Sequence, residues 1–124
     1  MSQPDLAPAI PILRMFDERS ARAFYLDFLG FTVEWEHRFE PDTPLYMQIR
    51  LGKLVLHLSE HHGDATPGST VFVPVTGIRA WQQQLLATQY KYARPGVQDL
   101  PWGAQMDIAD PFGNRLRFCE LNEE

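Results

Sequence analysis

Hydrophobic positions change their period several times along the chain, and each change marks an element. Residues 9–16, AIPILRMF, read as a strand. Residues 17–31, DERSARAFYLDFLGF, then place Ala21, Phe24, Tyr25, Phe28 and Leu29 at helical spacing. Asp17 suits the N-cap, where a carboxylate accepts first-turn amides, and Gly30 suits the C′ position. From Phe31 the period falls to two: in FTVEWEHRF, Phe31, Val33, Trp35, His37 and Phe39 alternate with Thr32, Glu34, Glu36 and Arg38. Two more strands, PLYMQIRL and KLVLHLSE, meet around Gly52 and Lys53. This first half is β-α-β-β-β.

Residues 61–69, HHGDATPGS, read as a linker, after which the order begins again. TVFVPVTG is a strand whose Pro74 suits an edge, and IRAWQQQLLATQ carries Ile78, Trp81, Leu85 and Leu86 at helical spacing. Strands are expected at KYARPGV, GAQMDIA and RLRFCEL. Laying Ile10 on Thr70 superposes the two strand-helix starts, so the pattern is a duplicated module, one at about 9–60 and the other at about 70–121. The expected fold is a single α+β domain over residues 1–124, two β-α-β-β-β modules forming curved, mostly antiparallel sheets with a cleft. Alternation puts Leu13, Met15, Met47, Ile49, Leu54, Leu56, Leu58, Val71, Val73, Val75, Leu116 and Phe118 on the helix side. It puts Ile10, Ile12, Tyr46, Gln48, His57, Thr70, Phe72, Asp107 and Arg117 on the inner side, a mixture of rings and polar groups that suits a ligand cleft or a half-wet sheet.

Composition narrows the partners. The 124 residues are 44% hydrophobic and carry a formal charge of −5 with no basic cluster. That balance argues against nucleic acid or an anionic membrane and is compatible with a cationic small molecule. Cys119 is the single cysteine, so no intrachain disulfide and no thiol-rich metal site can form. The start, MSQPDLAPAIPIL, lacks the cationic and continuous apolar runs of a secretory signal, and the cytoplasm is the expected location.

Two runs, RAFYLDFLGF at 22–31 and PWGAQMDIADPFGN at 101–114, in a paired β-α-β-β-β chain, resemble the vicinal oxygen chelate superfamily. That superfamily includes glyoxalase I, extradiol dioxygenases and the bleomycin resistance proteins. The second run most resembles the bleomycin resistance branch. The resemblance covers nearly the whole chain and implies homodimers, with clefts between modules or subunits and sometimes an exchanged N-terminal strand. In metal-dependent members four inward positions supply His, Gln or Glu to one divalent ion. They fall here on Ile10, His57, Thr70 and Arg117, of which only His57 could ligate in the usual way. Arg117 carries a fixed charge that repels a cation. No metal and no cofactor is therefore expected.

Individual residues sharpen this. Trp102, between Pro101 and Gly103, is a flat wall for a planar ligand or a core residue covering a loop. His57 is a hydrogen-bonded cleft residue or a satisfied histidine on a strand. Trp35 alternates with Val33 as a core residue would, yet stands with Phe39 among the candidate ligand contacts. His61 and His62 beside Glu60 are solvated linker residues on this reading. No nucleophile has a histidine at motif spacing and no phosphate loop is present. The expected function is sequestration of a bleomycin-type glycopeptide antibiotic by Trp102, Phe39, Tyr46, Gln48, His57, Phe72, Asp107, Arg117 and Trp35. The alternatives are a metal-dependent enzyme of the glyoxalase or dioxygenase type and a sensor or carrier of another small aromatic ligand.

Overall fold

Asp17 accepts the backbone N–H groups of Arg19 (3.3 Å) and Ser20 (3.1 Å) and starts the first helix as its composition predicts. In the computed structural model, which describes residues 3–123, that helix opens as α1 (Glu18–Ala21) and widens into a π-helical stretch, Arg22–Phe28. The wider turn lets the consecutive side chains of Phe24 and Tyr25 both point inward, fully buried and edge to face at 4.8 Å. Gly30 ends it at φ +96°, a conformation that a Cβ would penalise.

Among the described residues the strands form two sheets of four. The first contains β1 (Ile12–Arg14), β2 (Thr32–His37), β3 (Tyr46–Leu51) and β4 (Leu54–Ser59), in the order β1-β4-β3-β2. The second contains β5 (Thr70–Pro74), β6 (Gln98–Leu100), β7 (Gly103–Ala109) and β8 (Arg115–Leu121), in the order β5-β8-β7-β6, with α2 (Ile78–Ala87) after β5. In each sheet the first strand runs parallel to the last and the other pairs are antiparallel. The register repeats as well: Ile12 faces His57 in one sheet, and Phe72 faces Arg117 in the other. This is the expected α+β fold of two modules.

Two expected strands differ. β1 is shorter than 9–16, and Ile10 lies before it, exposed. The KYARPGV segment is irregular, and the strand that pairs with β7 is Gln98–Leu100. Pro95 has no N–H for a ladder; it is buried, and its carbonyl accepts the Gln82 side-chain amide at 3.0 Å.

The helix-side residues of both sheets belong to one core. Leu13, Met47, Ile49, Leu56 and Leu58 share it with Ile78, Met106, Ile108, Leu116 and Phe118. The modules are also tied by a buried polar clamp. Tyr25 donates its hydroxyl to Asp110 at 2.6 Å, and the Asn114 amide donates to Asp110 and to the Arg14 carbonyl, each at 2.9 Å. Burial first, then the Asp110 charge, pushes the Tyr25 phenol well above its ordinary value, so it remains a donor. Tyr25→Phe should therefore lower stability by about 2 kcal/mol in urea unfolding, since it strips a hydrogen bond from a buried carboxyl group. An unchanged midpoint would show that the clamp carries no stability.

Candidate functional site

With both helix sides turned into one core, the other face of each sheet points outward. On the first sheet that face is set by an irregularity. Val33 pairs with Ile49 on the core side, but the register shifts, and Trp35 pairs with Gln48 on the open side. The extra residue is Glu34, a β-bulge that reverses the facing of everything after it. Trp35, expected to pack like Val33, is instead 43% exposed, and Phe39 is 75% exposed.

Here the Trp35 and Tyr46 rings lie parallel, 5.9 Å apart at 10°, and both meet the edge of His57. A chain of hydrogen bonds fixes the histidine. Both Glu34 carboxylate oxygens accept, one from the Gln48 amide at 2.8 Å and one from the Arg50 guanidinium at 2.9 Å. Gln48 must then turn its carbonyl to His57 Nε2 (2.8 Å), which carries the proton and donates. Nδ1 is left to accept the Tyr46 hydroxyl at 2.6 Å. Burial lowers the His57 pKa below the usual imidazole range, which favours this neutral form.

Beyond this chain the segment after β4 closes over the strand ends. A hollow of about 410 Å³ is lined by Trp35, His37, Phe39, Tyr46, His61 and Asp64. Phe39 meets His37 edge to face at 4.7 Å and His61 at 6.0 Å. Sequence reasoning missed His37 and His61. The bulge turned the first toward the hollow. The second lay in a segment read as solvated linker, yet it is half-buried with its ring 6.4 Å from Tyr46.

The open face of the second sheet is wired in the same way but with charge. Arg117 Nε donates to Asp107 at 3.2 Å, and the Gln105 amide donates to the same oxygen. The Trp102 indole N–H donates to Gln105 at 3.1 Å. Trp102 is 50% exposed and so does not fill the core; its N–H is tied and its ring remains open. Phe72, 47% exposed, stands opposite Arg117 and borders a separate apolar groove of about 670 Å³ between the β3–β4 turn and β5. One chain thus gathers Trp35, Phe39, Tyr46, Gln48 and His57 on one face, and Phe72, Trp102, Asp107 and Arg117 on the other.

The divalent ion of metal-dependent relatives finds no fit here. The facing inner positions are Ile12 with His57 and Phe72 with Arg117, one residue pair along from the Ile10 and Thr70 expected. Only His57 among them has a metal-binding atom, and both its nitrogens are already hydrogen-bonded. Among the described residues no three His, Cys, Asp or Glu side chains come together as a metal would require. Cys119 is buried, and burial raises its thiol pKa, away from thiolate chemistry. No described helix is long and apolar enough to cross a membrane.

Two modules of this topology, set core to core with exposed rings and polar groups on the outward faces, define a class that comparison identifies. The chain belongs to the glyoxalase superfamily, whose description, "Glyoxalase superfamily protein", matches residues 5–124. Its fold is similar to the bleomycin-binding protein from bleomycin-producing Streptomyces verticillus complexed with copper(II)-bleomycin, at 25% identity and a TM-score of 0.70, over 97% of this chain and 100% of that one. It is also similar to a bleomycin resistance determinant encoded on the transposon Tn5, at 21% identity and a TM-score of 0.73, over 95% and 100% of the two chains. TnmS3, an antibiotic binding protein from Streptomyces sp. CB03234, matches at 17% identity and a TM-score of 0.75, over 97% and 100%. No curated protein matches the sequence.

The depressed His57 pKa carries a sign. The unfolded chain takes up the proton more readily than the folded one, so the stability from neutral His57 is present above the unfolded histidine value and is lost as pH falls toward the folded value. Thermal melting between about pH 7.5 and about pH 5.5, a span that brackets the unfolded histidine value, should therefore fall more steeply for the wild type than for His57→Gln. Parallel slopes would mean that His57 is not held neutral by the fold.

Proposed function

We propose that this protein binds and sequesters a bleomycin-type glycopeptide antibiotic in the cytoplasm, without catalysis and without a metal of its own. The observation that carries this reading is the character of the open faces. Each holds exposed rings beside polar side chains that are already hydrogen-bonded to one another, which suits stacking against a planar ligand. The likeness in fold to a bleomycin-binding protein and to a bleomycin resistance determinant supports it. The formal charge of −5 would draw a cationic ligand toward the molecule, favouring encounter.

The two faces point away from each other, so a cleft that uses both requires a second copy. We therefore infer a homodimer in which the Trp35 face of one chain meets the Trp102 face of the other. The exposure of Ile10 and Ile12 (41% each), Phe72 and Trp102 supports this, because a partner chain would cover large apolar side chains that are otherwise left to water. Small-angle scattering at micromolar concentration should give twice the chain mass, and a strict monomer would discard the shared cleft.

Trp102→Ala tests the ligand. Losing a stacking indole should remove roughly 1 to 3 kcal/mol of binding, about tenfold to somewhat over a hundredfold in affinity. The fold should lose only about 1 kcal/mol, from the Gln105 carbonyl left without its donor. A core tryptophan would instead cost about 3 to 5 kcal/mol of stability. Tryptophan fluorescence with metal-free and copper-loaded bleomycin, read beside thermal melting, separates these outcomes. A stable variant with parental affinity removes Trp102 from the site. A wild type without affinity for bleomycin turns the reading toward a carrier or sensor of another aromatic ligand.

A further inference from the structure

The hollow at the end of the first sheet has a composition that stacking alone does not explain. Its lining is five rings, those of Trp35, His37, Phe39, Tyr46 and His61, and a single carboxylate, Asp64. One Asp64 oxygen accepts the Ser59 hydroxyl at 2.6 Å. No ion pair to Asp64 forms among the described residues, and no lysine or arginine lines the hollow. Arg38, between the lining residues His37 and Phe39, is spent on the Thr43 carbonyl at 2.8 Å and on Glu18. The Asp64 charge is felt inside the hollow, because after burial it is the second cause raising the Tyr46 phenol.

Rings and one uncompensated negative charge around a shared space are the elements that hold an organic cation. Ring faces attract a positive charge while tolerating its alkyl substituents, and a carboxylate supplies the opposite charge where water is partly displaced. The other carboxylates of the open faces are answered already: Glu34 by Arg50, and Asp107 by Arg117. Asp64 is left as the charge that a ligand would meet. We propose that this hollow is a subsite for an alkylated ammonium group, with Asp64 as its counter-charge and Trp35, Phe39 and Tyr46 as its ring walls. The proposal rests on reading the first sheet's open face as a ligand face, and it names the charge and the chemical class of the group that the face takes at this end.

The test uses choline and its uncharged carbon isostere, 3,3-dimethylbutan-1-ol, followed by NMR of the Trp35 indole and the His37 and His61 imidazoles. Choline should bind several-fold more tightly than the alcohol, about threefold to fivefold, the order expected of a cation–π contact at exposed rings beside a counter-charge. Asp64→Asn keeps an acceptor for Ser59 and should lower choline affinity to that of the alcohol. Equal binding of the two probes by the wild type would overturn the subsite without any variant. Wild-type choline affinity in a folded Asp64→Asn protein would overturn it too. A chain that binds choline but not bleomycin keeps the subsite and discards the drug. One that binds bleomycin but not choline does the reverse.

Discussion

The arrangement depends on one buried carboxyl group. Asp110 accepts the backbone amides of Phe112 and Asn114 (2.8 Å each), the Asn114 side-chain amide (2.9 Å) and the Tyr25 hydroxyl (2.6 Å). The first three fold the β7–β8 turn on itself, and the fourth reaches from the other module. Asn114 extends the link to the Arg14 carbonyl on β1. Asn114 Oδ1 is left without a partner, but both Asp110 oxygens are satisfied, and a buried carboxyl group is costly to strip of its donors, so the network accepts few alternative arrangements of the modules. The one it accepts puts both helix sides together and leaves both open faces outside. Everything proposed about ligands and a second copy follows from that geometry.

The two modules carry different faces on a common frame. The offset of 60 residues carries Ile12 and His57 to Phe72 and Arg117, and Gln48 and Asp107 play the same part beside His57 and Arg117. In the first module that pair is neutral and sits under stacked rings. In the second it is an ion pair at the sheet surface, partly exposed, where its strength is modest and its main effect is to hold both side chains in place. Of the positions that could converge on a metal in a relative, His57 and Arg117 are thus bonded to their neighbours here, and Ile12 and Phe72 carry no donor atom.

Much of this was legible in the sequence because it depends on local chemistry or on a period of two. Asp17 and Gly30 took the places their side chains dictate, and the core-side residues of β3, β4 and β8 followed from alternation. The residue opposite His57 is Ile12 and not Ile10, because the first strand begins only at Ile12. The bulge at Glu34 could not be read: one extra residue reverses facing, and Glu is no signal for it, so Trp35 looked like core and His37 went unnoticed. His61 was missed for a different reason. Its partners, Phe39 and Tyr46, come from other elements, and only the crossing of the segment after β4 brings them together.

The hydrogen-bond inventory also bears on what kind of work the faces can do. A general base needs a lone pair free to meet a substrate, and a nucleophile needs a neighbour to take its proton. His57 has one nitrogen donating to Gln48 and the other accepting from Tyr46. Glu34 spends both oxygens, and Asp107 holds Arg117 and Gln105 on one of its own. A reaction that used His57, Glu34 or the bonded oxygen of Asp107 would first have to break bonds that give the face its shape. Among the described residues, the groups of these faces that make no hydrogen bond include the ring surfaces of Trp35, Phe39 and Trp102, the imidazoles of His37 and His61 in the hollow, and the second Asp64 oxygen. A binding role asks nothing of the network except that it stay closed.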